Sequence, residues 1–121
     1  LKETFACYEL MGWEDLHAYA RLENLAEFSE LPETEIRSGG YVVDTLEAAL
    51  WCLLNSTSYG ECVLKAVNLG NDTDTVGAVA GGLAGMYYGA GEIPDEWLNT
   101  LKKREYIEST CEKFLAFCTH Q

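Results

Sequence analysis

Three glycines, Gly77, Gly81 and Gly85, recur at four-residue intervals inside an apolar stretch, and no other feature restricts the fold as tightly. At about 3.6 residues per turn such spacing lines them along one helical stripe, with Ala78 and Gly82 on the adjoining row. Each glycine in a helix interior costs about 1 kcal/mol relative to alanine. A stripe of them therefore predicts a backbone held at close range against a second helix, in a tightly embedded central element. Membrane helices use the same small-residue geometry. The apolar run from Val76 to Tyr88 is nevertheless shorter than the roughly 18 residues a span requires.

The rest of the chain also reads as helices. Leu1 to Met11 and Trp13 to Phe28 carry apolar residues at mixed three- and four-residue spacing, with Gly12 as a break. Leu31-Pro32-Glu33 and Ser38-Gly39-Gly40 punctuate a connecting segment, and Tyr41-Val42-Val43 is the one β-like run. From Asp44 or Thr45, the residues Leu46, Ala49, Leu50, Leu53 and Leu54 lay an apolar stripe along a helix. Ser58 and Glu61 have capping-box spacing and open a helix through Val63, Ala66 and Val67 to Gly70. A further helix starts near Thr73. Pro94 begins a short one with Trp97 and Leu98 facing inward, and an amphipathic helix runs over Glu105 to Phe117. With neither repeats nor low-complexity linkers, the expectation is one all-α domain over residues 1–121.

Charge and cysteines narrow the function classes. Eight Lys and Arg against 20 Asp and Glu give a net charge of −12, a field that repels phosphate backbones and argues against a nucleic-acid duplex as partner. The five cysteines, Cys7, Cys52, Cys62, Cys111 and Cys118, show no CxxC spacing, and Cys118 with His120 is too sparse a pair for zinc. Reduced thiols and the lack of a signal-peptide pattern predict a cytoplasmic protein without a membrane segment. His17 and His120 read as plain surface or helix residues. Leu1, with no initiator Met before it, suggests a chain cut from within a larger domain.

The chemistry concentrates in Asn68-Leu69-Gly70-Asn71-Asp72-Thr73-Asp74-Thr75, which runs straight into the glycine helix. One Asp or Thr suffices to cap a helix, so two carboxylates and two hydroxyls exceed that need. On a regular helix Asp72 and Asp74 would diverge by about 200°. They converge only if the chain enters the helix through a non-helical turn, which Gly70 and Asn71 permit. Clustered carboxylates without neighbouring cations repel, and oxygen-only donors suit magnesium, manganese or calcium rather than zinc. Rival motifs fail on context. An EF-hand puts an oxygen donor and a glutamate where Val76 and Leu83 stand. The DxDxT/V phosphatase motif needs a buried strand before its first Asp, and Gly70-Asn71 precede it here.

Leu69-Gly70-Asn71-Asp72-Thr73-Asp74-Thr75, with the following helix ending in Met86-Tyr87-Tyr88-Gly89, resembles the C-terminal metal signature of the ADP-ribosylglycohydrolase family. Ser38-Gly39-Gly40-Tyr41-Val42-Val43-Asp44-Thr45-Leu46-Glu47-Ala48-Ala49-Leu50-Trp51 is similar to bacterial members, as is Ile93-Pro94 with Trp97-Leu98. The resemblance implies an orthogonal helical bundle of that type, here incomplete. It further implies two bound magnesium ions, with manganese as a substitute, and hydrolysis of the glycosidic bond joining ADP-ribose to an acceptor such as arginine. Asp72, Asp74 and Thr75 would be metal ligands, and Asp72 and Asp74 the catalytic acids. Gly39, Gly40, Tyr41, Gly70 and Asn71 would meet the ADP-ribose, Tyr41 by stacking on the nucleotide.

Relatives take their remaining ligands from a Thr-Asp-Asp segment and an acidic residue in the N-terminal half, and no Thr-Asp-Asp occurs in this chain. The expectation is therefore a C-terminal portion that is silent alone. Its partners would be the N-terminal half or a second copy of itself, engaged through the Gly77, Gly81 and Gly85 face, besides the ADP-ribosylated substrate. A non-catalytic ADP-ribose-binding or structural relative is the alternative.

Overall fold

A computed structural model describes residues 2–12 and 14–119, so Leu1, Trp13, His120 and Gln121 lie outside it. The chain runs through α1 (Lys2–Leu10), a 3-10 run (Glu14–Leu22), α2 (Leu25–Ser29), a 3-10 turn (Glu33–Glu35), α3 (Val42–Leu54) and α4 (Tyr59–Asn68). It continues with α5 (Thr73–Tyr88), a 3-10 turn (Ala90–Glu92), α6 (Asp95–Thr100) and α7 (Arg104–Thr119). Among the described residues there is no strand, and none of their helices is long and apolar enough to cross a membrane.

Small side chains set the packing of the central three helices. Ala48, Ala49 and Cys52 from α3, Cys62 and Ala66 from α4, and Val76, Ala80 and Ala84 from α5 are fully buried together. Short side chains let backbones approach, and the glycine stripe carries this furthest. A Cβ built on Gly77 would lie 2.9 Å from Val67 Cγ1, one on Gly81 3.4 Å from Tyr59 Oη, and one on Gly85 3.8 Å from Tyr59 Cε2. The stripe therefore packs on α4 of this same chain, which corrects the expectation that it waits for an absent half. The bare row of α5 is the adjoining one: Ala78, Val79, Gly82 and Met86 are exposed, and a Cβ on Gly82 would meet nothing within 4 Å.

Other boundaries shift for local reasons. The helix expected from Trp13 to Phe28 is, over its described residues 14–28, a 3-10 run followed by α2. Leu16, Tyr19 and Leu22 recur every third residue, the period of a 3-10 helix, and all three pack on the core. Asn24, at φ −117° and ψ 88°, then breaks the path before α2. In Tyr41-Val42-Val43 only Tyr41 is extended, at φ −77° and ψ 130°; it caps α3, which starts at Val42 rather than at Asp44 or Thr45. Val43 is buried, so tertiary packing overrides the β preference of paired valines.

The Ser58–Glu61 capping box forms in modified shape. Ser58 Oγ accepts from the Glu61 amide at 3.2 Å, while Glu61 Oε2 accepts from the Thr57 amide at 2.7 Å and the Thr57 hydroxyl at 2.8 Å. Trp97 turns inward against Tyr59, with ring centroids 6.2 Å apart. α7 is longer than its predicted span and buries none of its residues.

Candidate functional site

Two loops meet where α3 and α5 begin. Ser38, 2% exposed, joins them: its hydroxyl donates to the Gly70 carbonyl at 2.9 Å and accepts from Asn71 Nδ2 at 3.3 Å. Its own carbonyl accepts from the Asp72 amide at 3.0 Å. The second loop must reverse tightly to offer these groups. Gly70 at φ +85° and Asn71 at φ +58° occupy the left-handed region, which glycine enters freely and asparagine tolerates.

The reversal delivers the convergence that a regular helix forbids. Asp72 sits at the N-cap of α5 with φ −87° and ψ 62°, outside the helical path. The Thr75 hydroxyl donates to Asp72 Oδ1 at 2.8 Å. A hydrogen bond shared with the Asp72 side chain, aided by the amides of Asp74 and Thr75, holds the Asp74 carboxyl below its ordinary range. Oxygens of Asp72, Asp74 and Thr75 thus gather at one helix N-terminus, where the dipole favours negative charge.

The diglycine completes the setting. A Cβ on Gly40 would lie 3.3 Å from Asp72 Oδ2, and one on Gly39 3.9 Å from Asp44 Oδ2. Two carboxylates from different helices therefore flank a backbone that carries no side chains. Tyr41, 58% exposed, stands at the rim as the N-cap of α3. The structure accordingly brings together Gly39, Gly40, Gly70, Asn71, Asp72, Asp74 and Thr75, with Tyr41 beside them.

The donor set fits a hard divalent cation in kind, since it is all oxygen with two carboxylates. It is short in number: among the described residues no three His, Cys, Asp or Glu side chains gather closely enough to hold a metal. Cys52 and Cys62 are buried and free, and burial pushes the Cys52 thiol up to about 12, which leaves it inert as a ligand or nucleophile.

A family model described as ADP-ribosylglycohydrolase matches residues 3–121. The chain belongs to the ADP-ribosylglycohydrolase family. It is 45% identical over 92 residues to the ADP-ribosylarginine hydrolase Tri1 of Serratia proteamaculans, covering 76% of this chain and 25% of that protein. It is 42% identical over 65 residues to the ADP-ribosyl-[dinitrogen reductase] glycohydrolase of Rhodospirillum rubrum, covering 54% and 22%. To the human ADP-ribosylhydrolase ARH3 it is 25% identical over 105 residues, covering 72% and 29%. The chain thus spans about a quarter of the length of the relatives it matches.

The all-α architecture agrees with a glycohydrolase of this family. Sequence reasoning assigns no role to Ser38 or Asp44, although both stand in the quoted motif. A serine directly before a diglycine is a visible signal for a loop-tying hydroxyl. The turn of α3 that aims Asp44 back at Gly39 leaves no mark in sequence.

Proposed function

We propose that this chain supplies the acidic turn and the diglycine loop of a magnesium-dependent ADP-ribosyl hydrolase, which cleaves the glycosidic bond between ADP-ribose and an acceptor such as arginine. One observation carries the reading. The Gly70-Asn71 reversal folds Asp72, Asp74 and Thr75 into one oxygen cluster against a bare diglycine backbone, in a chain whose relatives are named for removing ADP-ribose.

Asp72, Asp74 and Thr75 are the residues suited to hold magnesium, or manganese in its place. A bound ion supplies Lewis acidity toward the ribose hydroxyls and a water nucleophile. Gly39 and Gly40 let the ligand approach the backbone, and the exposed Tyr41 ring offers a face to the nucleotide base. The Asn71 amide nitrogen is committed to Ser38, so Asn71 serves chiefly to hold the turn from which Gly70 and Asp72 present their peptide groups. In that role the ionised Asp72 and Asp74 carboxylates would also accept a proton from water beside the sugar.

Three protein ligands are too few for the near-octahedral shells of a magnesium pair. The remaining ligands come from the part of the full-length protein that this chain does not span, and the bare Ala78, Gly82 and Met86 row of α5 is a fitting seat for it. On this reading the 121-residue chain alone is silent. The short ligand set also favours a second reading, a relative that binds ADP-ribose without turnover.

Release of ADP-ribose from ADP-ribosylated arginine, measured on the full-length protein with magnesium, decides between them. Turnover that falls by at least about 100-fold in Asp72→Asn and in Asp74→Asn supports the hydrolase. Binding of ADP-ribose without release supports the second reading. Turnover indifferent to both substitutions sinks the metal assignment, and turnover by the isolated chain sinks its predicted silence.

A further inference from the structure

A polar stripe on α3 strings the preceding segment along the helix. Asn55, the C-cap of α3, donates through Nδ2 to the Ser29 carbonyl at 3.1 Å, and Trp51 Nε1 donates to the Leu31 carbonyl at 3.0 Å. One turn earlier, Glu47 accepts from Arg21 Nη1 at 2.8 Å, while Arg21 Nη2 donates to the Glu35 carbonyl at 3.3 Å. Beyond these bonds, Asp44 Oδ2 lies 3.9 Å from where a Cβ on Gly39 would stand, so the segment passes close to the start of α3. As the rungs descend from residue 55 to 47 on α3, their partners climb from 29 to 35, so the segment runs antiparallel to the helix. Three rungs end on backbone carbonyls and fix the path of the chain itself.

We infer that Arg21 is a positioning residue, whose two-pronged grip on Glu47 and the Glu35 carbonyl sets the Ser38–Tyr41 loop against the acidic turn. The inference rests on the proposed function for what that loop holds, but not for the grip. Glu47 has a side chain only 4% exposed, and a carboxylate taken that far from water needs a charged partner. Desolvation pushes the Glu47 carboxyl up, and the Arg21 charge opposes that rise. The guanidinium also lies over the buried Phe28 ring, 5.6 Å from its centroid, which restricts the directions its fork can take. A planar guanidinium serves two acceptors at a fixed angle, whereas a lysine ammonium is a point charge on a flexible stem. Glu35 precedes Ser38 by three residues, and the Ser38 carbonyl accepts from the Asp72 amide at 3.0 Å. Ile36, between Glu35 and Ser38, is buried in the core, so the grip at Glu35 and that anchor together set where Ser38 meets the acidic turn.

The Asp72 amide is the reporter. Hydrogen exchange is followed by NMR in the 121-residue chain, in wild type, Arg21→Lys and Glu47→Gln. Arg21→Lys keeps a charge beside Glu47 but loses the second prong. It is expected to speed exchange at Asp72 by about tenfold, the scale of one hydrogen bond, with Ala66 and Ala80 within about twofold of wild type. Glu47→Gln still offers Arg21 an acceptor and is expected to leave Asp72 within about twofold. An unchanged Asp72 amide in Arg21→Lys overturns the inference. So does a uniform rise at every amide, or outright unfolding, because lysine already neutralises Glu47. Titration of ADP-ribose into the full-length protein separates the two claims. No binding by wild type removes the proposed function and leaves the grip standing. Binding weakened about tenfold by Arg21→Lys supports both, and equal binding by wild type and variant overturns the positioning role.

Discussion

Alanine at Gly77 and alanine at Gly82 are expected to move stability in opposite directions, although both replace a glycine in the same helix. Each gains the helix-propensity difference of about 1 kcal/mol. At Gly82 nothing lies within 4 Å of the added Cβ, so that gain stands nearly whole. At Gly77 the methyl would lie 2.9 Å from Val67 Cγ1. Carbon pairs rest at about 3.5–4.0 Å, so something must yield by more than half an ångström. Valine holds one strongly preferred rotamer in a helix, and overpacking of this kind costs about 1–3 kcal/mol. The net for Gly77→Ala is a loss of about 1 kcal/mol, which places the two variants about 2 kcal/mol apart. At about 4 °C per kcal/mol for a chain of this size, their melting temperatures separate by about 8 °C. Urea unfolding followed by far-UV circular dichroism reads the difference as a shift in midpoint at constant slope. Gly77→Ala at or above wild type would refute the close α4–α5 approach, because it would mean that Val67 moves aside without cost.

Two further outcomes follow from the same structure. The Thr57 amide and hydroxyl hold the Glu61 carboxyl below its ordinary value, so its contribution is present above that value and is lost as pH falls through the lowered one. Glu61→Gln should therefore lower stability at neutral pH and flatten the acid-side decline, and parallel wild-type and variant curves would contradict the cap. Iodoacetamide should label the exposed Cys7, Cys111 and Cys118 in the native chain, with Cys52 and Cys62 joining only in denaturant; mass spectrometry showing early labelling of Cys52 would contradict its burial.

The all-helical character and the starts of α4 and α5 were legible because they depend on local chemistry. Ser58 with Glu61 and the glycine spacing announce themselves within a few residues, and the left-handed turn at Gly70-Asn71 follows from what those two residues tolerate. The acidic turn was legible for the same reason: the demand that Asp72 and Asp74 converge already required the N-cap to leave the helical path. What stayed hidden is what depends on partners distant in sequence. The glycine row looks identical whether it faces Val67 and Tyr59 of the neighbouring helix or an outside surface, and only the fold shows that it faces the former. Asp44 is an ordinary first-turn acid until α3 turns it toward Gly39, and Arg21 is an ordinary surface cation until Glu47 and the Glu35 carbonyl share its fork.

The hidden contacts explain why the legible ones sit where they do. A flexible diglycine is useful beside a ligand only if its ends are fixed, and the chain fixes both. The Arg21 grip acts ahead of Ser38, and the Thr45 hydroxyl donates to the Gly39 carbonyl at 3.4 Å behind it. Glycine at 39 and 40 then gives room without giving slack. The carboxylates of Asp44 and Asp72 are held close to a bare backbone rather than to a side chain that could swing away. One acid would suffice to start a helix; under the proposed function the second, with the buried serine, the left-handed asparagine and the two-pronged arginine, shapes the turn and loop that would meet the ligand.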